Sequence, residues 1–266
     1  MHFLELPKLE GSARAATICE AIFPRRQGAR GSISRPEARF LLGAIESCDA
    51  ATVVELGVAS GGSTLYMLAL LNELPGLRKL WAFDLDERYF ADESKPVGYL
   101  ARESEFNVAD RFVIRGGVCA ADIRAAMAEA TGAAPLVDLA FIDANHKHPW
   151  TAIDFLLLLP LIREGGVVVL HDINKPLVTR TREGHGPMKL FAKPFPDRCV
   201  VPGDAPNIGA MKVSNKERMI DLAIETLAEP WEAALNPALV ARIAAEIQTG
   251  PLASRAAELA PYFAAP

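Results

Sequence analysis

An α/β fold built on a mostly parallel sheet is what the sequence predicts, on three observations. From about residue 34 to residue 174, short β-branched or apolar runs alternate with stretches of helical length and pattern. A glycine-rich turn joins the first of those runs to the helix that follows it. The chain of 266 residues is 50% hydrophobic and 23% charged, a globular composition, and can bury roughly 70–75% of its unfolded surface.

Each element follows from local signals. Ser34-Arg35-Pro36-Glu37 offers an N-cap, an early proline and an acid three places on, and Leu41, Leu42 and Ile45 continue at helical spacing. Thr52–Gly57 reads as a buried strand, and a Gly/Ser turn leads to a helix over Ser63–Leu74 that Pro75-Gly76 ends. Leu80–Leu85, Phe112–Arg115, Val137–Ile142 and Val167–Leu170 read as further strands, with helices at Ala120–Ala130 and Trp150–Ile162. Strands and helices in this order imply right-handed crossovers with helices on both faces. Cys199–Val201 and Ile208–Val213 then read as a closing hairpin, and Lys216–Ala265 as helices broken near Pro230, Pro237 and Pro251. The expected division is a basic, mobile segment over 1–33, a ligand-binding domain over 34–214 and a helical C-terminal extension over 215–266.

Charge and composition exclude several classes. A net charge of −5 argues against a nucleic-acid duplex as partner, because phosphate neutralisation needs a basic face. Residues 1–40 are locally basic, with Lys8, Arg14, Arg25, Arg26, Arg30, Arg35 and Arg39 against four Glu. Met1–Glu10 shows no targeting signal. Phe155–Ile162 and Val167–Leu170 are too short to span a bilayer. Cys19, Cys48, Cys119 and Cys199 lie far apart without C-x-x-C spacing, which fits reduced thiols in a cytoplasmic protein.

The strongest chemical signal is Glu55-Leu56-Gly57-Val58-Ala59-Ser60-Gly61-Gly62-Ser63, between a strand and a helix N-terminus. Its glycine spacing is not that of the dinucleotide fingerprint, which disfavours a nicotinamide oxidoreductase. An acid before the first glycine would repel pyrophosphate and suits a cationic or amine-bearing ligand. Asp84, ending the second strand, can accept the hydroxyls of a ribose. Asp143-Ala144-Asn145-His146-Lys147-His148 and His171-Asp172-Ile173-Asn174 follow adjacent strands, so Asp143 and Asp172 should emerge side by side on the carboxyl edge. Such a group could hold a hard cation or position a base. His148 reads as a surface-loop residue, while for His146 and His171 spacing alone leaves function and packing both open.

With these residues in view, Ile33–Asn174 resembles the class I S-adenosylmethionine-dependent methyltransferases. The likeness is to small-molecule O-methyltransferases related to the catechol and caffeoyl-CoA enzymes and to uncharacterised bacterial relatives. It is carried by Glu55–Ser63, Asp84, Arg115-Gly116-Gly117-Val118-Cys119, Asp143–His146 and His171-Asp172. It implies a Rossmann-like, mostly parallel seven-stranded sheet. It further implies that Gly57 and Gly61 meet the methionine part of the cofactor with Ser63 near its carboxylate. Glu55 would support the loop, Asp84 would hold the ribose, and Val118 and Cys119 would flank the adenine. Asp143 would lie near the sulfonium, and His146 falls where relatives place a catalytic lysine, so His146 is the expected base, with His171 as the alternative. A divalent ion such as Mg would sit on Asp143 and Asp172 with His171 or Asn174; a metal-free enzyme is the alternative. Ile173 departs from the Asp-Asn pair of metal-using relatives, and His171 stands where others carry an acid. The expected activity is O-methylation of a small molecule, away from nucleic acid and membrane. The alternatives are an N-methyltransferase or a cofactor-binding module without transfer activity. The tail would pack on the sheet, close over substrate or pair two subunits as a homodimer.

Overall fold

The computed structural model describes residues 11–26, 28–31, 33–180 and 183–263. Parts of the expected basic segment, residues 1–10, 27 and 32, lie outside the described residues. So do Thr181 and Arg182.

Chain order is α1 (Ala13–Ile22), a short 3-10 turn, α2 (Arg35–Ser47), β1 (Thr52–Leu56), α3 (Gly62–Glu73) and β2 (Lys79–Phe83). A small hairpin, β3 (Arg88–Tyr89) and β4 (Asp92–Pro96), and α4 (Tyr99–Arg102) precede β5 (Phe112–Arg115) and α5 (Ala120–Thr131). Next come β6 (Val137–Ile142), α6 (Trp150–Leu158), β7 (Ile162–His171), α7 (Lys175–Thr179) and α8 (Gly186–Ala192). The hairpin β8 (Arg198–Val200) and β9 (Ile208–Lys212) leads to α9 (Lys216–Leu227), α10 (Pro237–Thr249) and α11 (Ala256–Phe263).

The main sheet has seven strands in the order β5-β2-β1-β6-β7-β9-β8, all running one way except β9, which is antiparallel to both of its neighbours, β7 and β8. From β1 the chain winds outward to β5, then returns to place β6 on the other side of β1. The crevice between these halves is where an open α/β sheet binds ligands. Register fixes what meets there. Leu56 pairs with Ile142 and Ile142 with Leu170, so the next residues out, Gly57, Asp143 and His171, leave the sheet abreast.

Period-2 alternation sends side chains to two cores. Val54, Leu56, Trp81, Ile142 and Leu170 face α5, α6 and the tail helices. Val53, Leu80, Phe141 and Val169 face α1–α3. By parity Glu55, Asp143 and His171 belong to the second face, beneath α2 and α3. Each fully buried Val, Leu, Ile or Phe contributes about 1.5–3 kcal/mol of transfer free energy, so both faces are held firmly.

Three expectations need correcting. Residues 13–22, expected to be mobile, form α1 with Ala15, Ile18, Cys19 and Ile22 buried against α2 and α3; an apolar stripe at helical spacing outweighs the local positive charge. His148, expected on the surface, is fully buried, its N–H donating to Glu232 at 2.8 Å. The helix ending at Ile162 stops earlier, because Pro160 and Gly165-Gly166 release the chain into β7. Among the described residues the tail helices pack on α5, α6 and α8, the helices that cover one face of the sheet, rather than on the strands themselves. Ile243, Ile247, Leu252, Leu259 and Phe263 join the first core, and Arg124 grips Glu246 at 2.6 and 2.9 Å.

Candidate active site

Gly57 follows β1 with φ +92°, and a Cβ there would lie 2.2 Å from the carbonyl oxygen of Asp143, so only glycine lets the two loops touch. Asp84, ending β2, braces the turn: its Oδ2 accepts from the N–H groups of Val58 (2.8 Å) and Ala59 (3.0 Å), and its Oδ1 from that of Asp86 (3.0 Å). Three of about four acceptor positions are thus filled. Glu55 braces it from below. Its parity points it at α3, where Ser63 (2.5 Å) and Thr64 (2.6 Å) donate to its two oxygens. Complete burial pushes the Glu55 carboxyl up to about 8, against the pull of those two hydroxyls.

Above the turn lies a cleft of about 710 Å³, within the usual range for small-molecule sites. Of the residues expected to meet a cofactor, Gly57, Asp84, Val118, Cys119 and Asp143 line it, together with Val58. Glu55, Gly61 and Ser63 do not. The Ser63 hydroxyl is spent on Glu55, and Gly61 opens α3 in a left-handed conformation packed against Gly98. These three therefore shape the loop from beneath. Beyond Asn145 and His146 a second cleft of about 600 Å³ opens, bordered by Lys147, Glu183 and Gly184; Ala144, Asn145, His146 and Lys175 face both.

Where the clefts meet, four side chains converge: the metal-capable donor atoms of Asp143, His146, His171 and Asp172 all lie within 4.8 Å of one another. His146 Nε2 sits 3.1 Å from Asp143 Oδ1 and 3.1 Å from Asp172 Oδ2, which makes that nitrogen the N–H donor. Its Nδ1 accepts from Lys175 Nζ at 2.8 Å, and Lys175 also donates to Asp172 Oδ2 at 2.7 Å. Asn207 donates to Asp172 Oδ1 at 2.7 Å. His171 is turned away from both clefts. Its Nδ1 donates to Asp143 at 2.9 Å, and its Nε2 lies 3.3 Å from Glu37 Oε1, an ionic contact rather than an aligned hydrogen bond.

Burial works against the charge on His171, but Asp143, Glu37 and Asp172 together hold its imidazole well above the ordinary value. Burial would also raise Asp143, yet His171 and His146 hold it well below the carboxylate range. Glu37 follows the same pattern, brought down to about 2 by His171 and Ser34 in spite of its burial. His171 is therefore an imidazolium locked among carboxylates and has no lone pair to offer. It is unsuited to the role of alternative base.

The same arrangement decides how well the cluster fits a divalent ion. A cation needs the oxygens of Asp143 and Asp172 free to ligate. Here Lys175 and Asn207 occupy the two oxygens of Asp172, His171 and His146 share Asp143 Oδ1, and the Ile173 side chain has no ligand atom. The four side chains are close enough to hold an ion, but an ion on Asp172 would have to displace the Lys175 ammonium and Asn207.

Lys175, Glu37, Asp86 and Asp154 also belong to the site and were not singled out from the sequence. Lys175 carried a signal, three residues after Asp172 at the start of a helix. Asp154 carried one too, as a lone acid in an apolar helical run.

Known proteins are similar to this chain over part of its sequence and in its fold. Residues 54–173 match the family model described as a methyltransferase domain. No curated protein sequence matches the chain. Its fold is similar to that of an O-methyltransferase from Bacillus cereus in complex with SAH, at 16% identity, covering 74% of this chain and 91% of that one, with a TM-score of 0.54. It is also similar to the O-methyltransferase TomG from Streptomyces achromogenes in complex with SAM (20% identity; 78% and 93% covered; TM-score 0.52). A third is the SAH-bound methyltransferase PaMTH1 from Podospora anserina (15% identity; 76% and 89% covered; TM-score 0.51).

Proposed function

We propose that this chain, whose residues 54–173 match the methyltransferase-domain model, moves a methyl group from S-adenosylmethionine to a hydroxyl of a small molecule. The observation that carries this reading is the meeting of the two clefts at His146. A donor in the larger cleft and an acceptor in the smaller one would face each other across that side chain.

Ionised Asp143 beside the junction suits a sulfonium or an α-amino group. The spare acceptor position on Asp84 can take one ribose hydroxyl, and Asp86, which lines the same cleft, can take the other. Partial burial and the charge of Asp84 push Asp86 up from its ordinary value, so a hydroxyl donor relieves it.

The reaction is an in-line displacement. An acceptor oxygen forms its bond to the methyl carbon as the carbon–sulfur bond breaks, leaving a neutral thioether, and the hydroxyl proton goes to His146 Nδ1. For this the acceptor must displace Lys175 from Nδ1, and Lys175 keeps its second partner, Asp172. Asp143 and Asp172 hold the opposite N–H and stabilise the imidazolium as it forms, as the acid of a catalytic triad does. Positioning supplies the remainder.

The test is incubation with methyl-labelled S-adenosylmethionine and a panel of phenols, sugars, hydroxy acids and amines. Label is expected in a hydroxylated product together with S-adenosylhomocysteine. Label only on amines would replace the oxygen acceptor by nitrogen. Cofactor binding without label transfer to any of them would leave a binding module.

A further inference from the structure

Helix α6 is apolar but for Thr151 and Asp154. Asp154 is only 5% exposed, yet its side chain lines the larger cleft beside Val118, Cys119, Ala120, Ala144 and Trp150. Among the described residues it has no hydrogen bond and no ion pair. An unpaired carboxyl in such surroundings is costly whether charged or neutral, and a leucine would fill the place more favourably. Nothing among the described residues offsets that cost, and a ligand in the cleft can.

The neighbours indicate which part of the ligand. The Val118 N–H is committed to the Asp84 carbonyl at 2.9 Å, and the Cys119 N–H to Asp122 Oδ2 at 3.0 Å. The Cys119 thiol also faces Asp122, at 3.2 Å. At the end of the cleft where a flat base would lie between Val118 and α6, Asp154 is a polar side chain with its bonding capacity unspent.

Resting on the cofactor reading above, we propose that Asp154 recognises the base of that cofactor, its carboxyl accepting a hydrogen bond from the 6-amino group of adenine. Burial pushes the carboxyl up to about 8, so near pH 7 it is mostly neutral and can also donate its own proton to a ring nitrogen. Recognition is then bidentate, and the cost of burying the group is recovered when the ligand enters.

Calorimetric titration with S-adenosylhomocysteine, and with its analogue whose purine lacks the 6-amino group, tests this. The wild type is expected to bind the analogue at least tenfold more weakly. Asp154→Leu should lose at least tenfold on S-adenosylhomocysteine and bind both ligands alike. Asp154→Asn keeps an acceptor and a donor, and should stay within about threefold of wild type and retain the preference. Without ligand, both variants should melt at or above the wild-type temperature, which separates lost recognition from lost folding. An Asp154→Leu protein that keeps wild-type affinity, or the full preference for the amino group, overturns the assignment. Failure of the wild type to bind S-adenosylhomocysteine at all would instead overturn the cofactor reading on which it rests.

Discussion

Replacing Glu37 by Gln separates two jobs that the wild-type side chain does at once. Its Oε2 accepts the Ser34 N–H at 2.6 Å and closes the capping box of α2, while its Oε1 faces His171 at 3.3 Å. Glutamine can still close the box but carries no charge. The fall of the Glu37 carboxyl from an ordinary 4.5 to about 2 corresponds to roughly 3 kcal/mol at 1.36 kcal/mol per pH unit. Part of that belongs to Ser34, so the charge facing His171 is worth about 1.5–2.5 kcal/mol. The folded value is depressed, so this stability is fully present above pH 4.5 and is lost as pH falls towards 2. His171 has the opposite sign: its folded value is raised, and its share is present below about 6.5 and lost as pH rises through that raised value. Urea unfolding at pH 6 should therefore show Glu37→Gln less stable by that amount, with the gap narrowing below pH 4.5 and closing only towards pH 2, and with the His171 titration, followed by NMR, moved down. Glu37→Ala should cost about 1 kcal/mol more, the worth of the cap. Equal stability at pH 6 with an unmoved His171 titration would refute the reasoning.

Three further outcomes are expected. His146→Ala should lower kcat by about 10²–10⁴-fold, the usual contribution of a general base, with cofactor affinity nearly unchanged; turnover within threefold of wild type would shift attention to Lys175. Excess EDTA should leave turnover intact, and a loss that added Mg²⁺ restores would mean that Lys175 yields its place to a cation. The Glu55 carboxyl is raised from 4.5 to about 8, so the folded state holds the extra proton and stability declines as pH rises between those values. Glu55→Gln should flatten that decline in thermal melts of the ligand-free protein from pH 5 to pH 9, and an unchanged slope would remove Glu55 from the account.

The parts of this structure legible in the sequence are those encoded by neighbours in the chain. The runs Thr52–Gly57 and Val137–Ile142 fall within one residue of their strands, and the Ser34–Glu37 box caps α2 as its spacing implies. Gly57 is where close approach demanded glycine. Partnerships across the sheet were not legible. That Glu37 would serve a helix cap and also reach His171 depends on how α2 lies over β7. That His171 would turn away from the clefts depends on its strand parity and on Glu37 drawing it under α2. Asp84 ends the second strand as expected, but nothing local said that its carboxylate would brace the glycine turn. The hairpin Arg88–Tyr89 with Asp92–Pro96 left no clear mark either, being short, exposed and proline-ended.

Glu232 belongs to the tail, yet its carboxylate takes the N–H of His148 at 2.8 Å and that of His185 at 3.0 Å, along with the His185 imidazole. Those two histidines lie in the segments that border the smaller cleft, one following His146 and the other following Gly184. One side chain therefore ties the two segments together, alongside the direct bond from the Gly186 N–H to the His146 carbonyl at 2.8 Å. On the proposed reading, the width of the cleft that would take the acceptor is then set in part by a residue outside its lining. Acceptor size could drift through changes at position 232 or in the helices behind it while every group doing chemistry stayed the same.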